Sequence, residues 1–171
     1  NPLEPAGPVD DPEACHHLSP AEQSTPAQLA FMFENDLFVR YSVESTEITA
    51  PGGGRVGMDQ AAVEGLYGKR LQAMPHKYVE GGKVLVSPED GGALPSQLIF
   101  ELDAAGRVTS WRVGLAPQVG YVEGCSCARL PALARADRFH RTEGEGRCPK
   151  RSRSPCWACC SWRSAAIHWS R

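Results

Sequence analysis

The chain has 171 residues, 42% of them apolar, which allows one sizeable hydrophobic core and not two. Its formal net charge of −2 conceals a division. Residues 1 to 125 carry 8 Lys and Arg against 17 Asp and Glu, and residues 126 to 171 carry 10 against 3, so an acidic body (−9) adjoins a basic tail (+7). No apolar run approaches the roughly 20 residues a bilayer-crossing helix needs, which excludes a helical membrane span.

The first residue is Asn1 and no apolar signal segment precedes it, the form expected of a mature secreted or periplasmic product. Residues 1 to 14 combine four prolines with four acids and almost no large apolar side chain, which predicts a disordered, extended leader. Cys15-His16-His17 follows. It suggests a thiol nucleophile with imidazoles at hand, part of a metal site, or half of a disulfide. A nucleophile needs its base placed in space, and adjacent histidines on a strand point to opposite faces, so the disulfide reading is preferred.

In "AQLAFMFENDLFVRYSVE", aromatic and β-branched residues flank Asn35-Asp36, which predicts a β-hairpin of Leu29 to Phe33 and Leu37 to Val43. A short strand is expected at Glu47 to Thr49, then a break at Pro51 and three glycines. A helix follows, capped by Asp59, stapled by Met58 and Val63 at N' and N4, and stopped by Gly68. "GGGRVG" satisfies G-x-G-x-x-G at Gly52, Gly54 and Gly57. A dinucleotide site needs a parallel strand running into that turn, and Pro51 interrupts the approach, so a plain flexible connector is expected.

"KYVEGGKVLVS", "SQLIFELDAAGRVTSWRV" and "PQVGYVEGC" each read as strands bounded by glycine or proline. "LDAAGRV" predicts a hairpin turn closed by Gly106 in the left-handed region. Leu98, Phe100 and Leu102 share one face of their strand. The fold class is α+β, a mainly antiparallel sheet with one short packed helix. Trp111, Arg112, Tyr78 and His76 are the candidate ligand contacts, because aromatic faces stack on sugars and Arg binds carboxylates or phosphates. Ordinary sheet packing with a solvated charge is the competing account.

The motifs "EACHHL", "ITAPGGGRVGMDQAAVEGLYG", "LIFELDAAGRVTSWRVG" and "YVEGC" resemble a family of small secreted or periplasmic bacterial proteins, sometimes labelled lectin-like. The resemblance covers Cys15 to Cys125. It implies a Cys15 to Cys125 disulfide closing the domain, an extracytoplasmic location and no enzymatic activity. The helix motif, Val56 to Gly68, is also similar to that of outer-membrane assembly lipoproteins of the BamE type. Those are acylated on an N-terminal cysteine, and Asn1 cannot be acylated in that manner.

Cys148, Cys156, Cys159 and Cys160 in the tail lack the two separated pairs of a structural zinc site, even with His168 as a further ligand. The pairing of Cys127, Cys148, Cys156, Cys159 and Cys160 is left open by the sequence. The tail's Arg and Trp residues suit a nucleic-acid arm. Its composition also matches a GC-rich gene read out of frame, so residues 126 to 171 are expected to be a disordered frameshift or read-through product, with no nucleic-acid partner. The expected function is a non-catalytic binding module for a glycan or envelope component, with no cofactor. The alternatives are an envelope assembly-interaction domain and, third, a small thiol or metal hydrolase using Cys15, His16 and His17.

Overall fold

A computed structural model describes residues 1–6 and 14–127. The described strands are β1 (Leu3–Pro5), β2 (Cys15–Pro20), β3 (Leu29–Glu34), β4 (Leu37–Val43), β5 (Gln72–Pro75), β6 (Lys83–Val86), β7 (Ser96–Leu102) and β8 (Val108–Leu115), with one α-helix, α1 (Gln60–Tyr67). They form a single antiparallel sheet in the order β1-β2-β3-β4-β8-β7-β6-β5. Two four-stranded meanders therefore meet at one seam, β4 against β8. The α+β class with a mainly antiparallel sheet is what the chain adopts.

The β3–β4 hairpin turns on Asn35 and Asp36, both in the left-handed region at φ 52° and 59°. A bulge between Met32 and Phe33 shifts its register, so Phe33 faces Phe38 while Met32 faces Arg40. Helix α1 starts and stops where its caps require. The Asp59 carboxylate accepts from the Ala62 N–H at 2.8 Å, and the Gly68 N–H reaches the Glu64 carbonyl. At the β7–β8 turn the Gly106 N–H donates to the Asp103 carbonyl at 3.0 Å, with Gly106 at φ 76°.

Helix α1 lies on one face of the sheet, the front, and covers only the half built from β4, β8, β7 and β6. Val63 enters a core with Val43, Leu85, Phe100 and Trp111. That row runs straight across the sheet, Val43 opposite Trp111, Trp111 opposite Phe100, Phe100 opposite Leu85. On the back face residues 116 to 127 cross the strands as a strap. Val119 packs with Val84 and Ile99, and Tyr121 packs with Met32 and Val39.

Several expectations are corrected. The segment Glu47 to Thr49 forms no strand. The strap, read as a strand, instead makes 3-10 turns at Gln118–Gly120 and Gly124–Cys127, because arginine side chains rather than a neighbouring strand take its carbonyls. Of "KYVEGGKVLVS", only Lys83–Val86 is extended, and Gly82 closes a turn onto the Val79 carbonyl. The leader is not wholly unstructured, since Leu3–Pro5 pairs with Leu18 to Pro20. Residues 7–13 and the tail from 128 onward lie outside the described residues.

The triple glycine is no flexible connector either. The Tyr67 hydroxyl donates to the Pro51 carbonyl at 2.7 Å and accepts from the Gly54 N–H at 3.0 Å. A Cβ on Gly54 would sit 2.6 Å from the Phe100 ring, so glycine is required by close packing rather than by a phosphate. Both outer strands carry proline, Pro5 on β1 and Pro75 on β5.

Candidate functional site

The four residues singled out as ligand contacts are split between faces. Trp111 is 1% exposed on the front, inside the core, with Tyr41 edge-on to its ring at 5.6 Å. It presents no face to a ligand. Arg112 is 5% exposed on the back, where its Nε donates to the Val119 carbonyl at 2.7 Å and its Nη1 donates to Glu101. It holds the strap and is likewise closed to a ligand.

His76 joins the same group. Its Nδ1 accepts the N–H groups of Tyr78 and Val79, each at 3.1 Å, which leaves Nε2 facing Glu101 at 3.6 Å. Tyr78 is 54% exposed at the β5 edge, donates its hydroxyl to Glu123, and has Lys77 Nζ 5.2 Å from its ring centre. Glu101 thus links His76 and Arg112, and Ser110 Oγ adds a third bond to it at 3.2 Å. Burial pushes the Glu101 carboxyl up, but the Arg112 charge and hydrogen bond, with His76 and Ser110, hold it below the usual range.

Arg40 does the same work one strand along. Its Nη1 donates to the Tyr121 carbonyl at 2.6 Å and the Gln118 carbonyl at 3.2 Å. Burial, then repulsion from Arg112, lowers its pKa to about 10, with Glu101 opposing. Gly114 lies opposite Arg40, and a Cβ there would come within 2.5 Å of the Val39 carbonyl. The back face is therefore a strap fastened by two buried guanidinium groups, and its polar side chains are engaged internally.

Cys15 and Cys125 are joined by a disulfide, with a Cα–Cα distance of 5.4 Å. It fixes the strap to β2. His17 Nδ1 lies 3.4 Å from Cys125 Sγ, while His16 on the other side of β2 stacks on Phe33. Alternation sends the two histidines to opposite faces, as expected, and the bonded Cys15 has no thiol to serve as a nucleophile. Among the described residues no group of three or more His, Cys, Asp and Glu could hold a metal ion.

Burial, then the charges of Arg40 and His16, lowers the His17 pKa from 6.5 to about 4. Between those values the unfolded chain binds a proton that folded His17 refuses, so stability is full above pH 6.5 and falls on acidification toward pH 4. Urea midpoints at pH 7 and pH 4.5 are expected to show that fall, and His17→Gln to flatten it. Equal slopes in the two proteins would remove His17 as the cause.

The open surface is on the front, over the half that α1 leaves uncovered. His16, Leu18, Phe31, Phe33, Phe38 and Tyr41 share one side of β2, β3 and β4. Their rings form a continuous series: His16 on Phe33 at 5.3 Å, Phe33 to Phe38 at 5.7 Å, Phe31 to Phe38 at 6.1 Å, and Phe38 to Tyr41 at 6.5 Å. Phe38 is 50% exposed and the other five are half-buried. Leu3 and Pro5 extend the surface on β1. Sequence reading predicted this hairpin without singling out its face; the four aromatics Phe31, Phe33, Phe38 and Tyr41, with His16 on the neighbouring strand, were the available signal.

Comparison with family models, curated proteins and solved structures finds no match for this chain. No helix among the described residues is long and apolar enough to cross a membrane.

Proposed function

We propose that this domain is an extracytoplasmic, non-catalytic binding module that uses the aromatic face of β2, β3 and β4 as its contact surface. The observation that carries this reading is the uncovered ring series with half-exposed Phe38 at its centre. A contiguous apolar surface held open on a folded domain marks an interaction site. Stacked rings offer large contact area at low cost in side-chain entropy, to a sugar ring or to another protein.

The Cys15–Cys125 bond supports the location, because disulfides persist in oxidising compartments. The resemblance to small secreted or periplasmic proteins points the same way. On the back face Arg40, Arg112 and Glu101 are bonded into the strap and the sheet, which favours binding over chemistry.

The test uses Nile red, a neutral apolar dye. The native protein is expected to bind it with a blue-shifted emission, and Phe38→Ser to weaken that binding roughly tenfold, the scale of a central aromatic anchor. Thermal melting of the variant should stay close to that of the parent, since Phe38 is half in solvent already. Equal dye binding by a folded Phe38→Ser variant would sink the proposal.

A further inference from the structure

Resting on that reading of the aromatic face, we infer that its partner is a basic amphipathic polypeptide segment, with apolar side chains on the rings and Lys or Arg beside them. The charge distribution around the face is the first ground. Residues 1 to 54 contain a single Lys or Arg, Arg40, and it is buried on the opposite side of the sheet in bonds to the strap. The acids are outside. Glu22 and Glu47 are exposed at the end of the sheet where β2 and β4 stop and β3 starts, and Asp36 is exposed at the other end.

The two ion pairs among the described residues both involve Glu101; Arg55 and Arg107 line a cavity with Glu47 but form no ion pair with it, and neither ion pair engages Glu22 or Asp36. An acidic rim on an apolar floor selects a basic partner and repels an acidic one. The ring faces add to this, because a cation set over Phe or Tyr gains from the ring quadrupole.

Hydrogen-bonding capacity is the second ground, and it counts against sugars. A glycan site needs several polar groups converging on the ring hydroxyls. Among the six side chains of the face only the His16 imidazole and the Tyr41 hydroxyl are polar. Most sugar hydroxyls buried here would lose water without a replacement, at a cost that ring stacking does not recover. Size fits a peptide: four strands spaced about 4.8 Å apart give a face about 14 Å across, enough for one helix of about 10 Å or an extended segment.

The experiment measures fluorescence anisotropy of two labelled peptides on the full chain. The peptides share one Leu and Trp pattern, with Lys at every polar position in one and Glu in the other. The Lys peptide is expected to bind and the Glu peptide not to. Binding should weaken roughly tenfold with Phe38→Ser. It should also weaken with Glu22→Gln and Glu47→Gln combined, and in salt of about 0.5 M. Glu80→Gln with Glu89→Gln, exposed acids on the β5–β6 side, should leave it unchanged.

Equal binding of both peptides, or equal loss from the remote and rim substitutions, overturns the basic partner. If both peptides bind and Phe38→Ser abolishes both, the face remains a contact surface and only the partner class fails. If no peptide binds and a soluble oligosaccharide displaces Nile red, the face belongs to sugars. Insensitivity of every ligand to Phe38→Ser removes the binding-surface reading as well.

Discussion

Reduction of the Cys15–Cys125 disulfide, or Cys15→Ala, is expected to lower the melting temperature by roughly 10 °C or more. The bond closes a loop of 110 residues, nearly the whole described domain. In a chain-entropy account such a loop contributes about 4 to 5 kcal/mol, less where the unfolded chain keeps structure. That is comparable to the entire margin of a small domain. The strap has other ties, through Arg40 and Arg112, so the native sheet should still form at low temperature after reduction. Melting followed by circular dichroism with and without reductant checks both statements. An unchanged melting temperature with the bond demonstrably broken would refute the first.

Glu101→Gln is expected to cost about 3 to 5 kcal/mol, the usual effect of removing one partner from a buried ion pair. Glu101 is the one acid in an ion pair with Arg112 among the described residues, and it offsets the repulsion between Arg112 and Arg40. Without it two buried guanidinium groups face each other uncompensated, and Nη2 of Arg112 and Nε of Arg40 already have no hydrogen-bond partner. Replacing both members of the pair, Glu101→Leu with Arg112→Leu, should cost less than the sum of the two single changes. Because folded Glu101 titrates below its ordinary value, its contribution is present above the unfolded pKa and is lost as pH falls through the folded one. Urea midpoints measure all of these. A loss below about 1 kcal/mol for Glu101→Gln would mean that solvent screens the pair.

Local signals in the sequence were reliable where local physics decides. Asp59 and Gly68 bound α1 because orphan N–H and carbonyl groups must be met by the nearest residues able to do so. Asn35-Asp36 and Gly106 turn their hairpins for reasons contained within four residues. The strap was misread because its apolar residues resemble a strand, while its carbonyl partners, Arg40 and Arg112, are distant in sequence or on a different element.

The face of the hairpin was hidden by one extra residue. Simple alternation groups Phe38 with Arg40 and sets it against Tyr41. The bulge opposite Met32 and Phe33 turns Phe38 back to the side of Phe31, Phe33 and Tyr41. Trp111 failed as a ligand candidate for the opposite reason. Its exposure depends on whether α1 and Val43 cover it, and both do. An aromatic residue reveals its chemistry in sequence, but its burial is decided by partners far along the chain.

The prolines at the two margins of the sheet limit how it can meet another molecule. A strand can be added to an exposed edge only where successive N–H groups are available, and proline offers none. Pro5 ends one outer strand after three residues and Pro75 ends the other after four. Neither margin is a template for growth into a continuous sheet between molecules. The same prolines that oppose edge-to-edge polymerisation of this domain suit the proposed contact through side chains on a face.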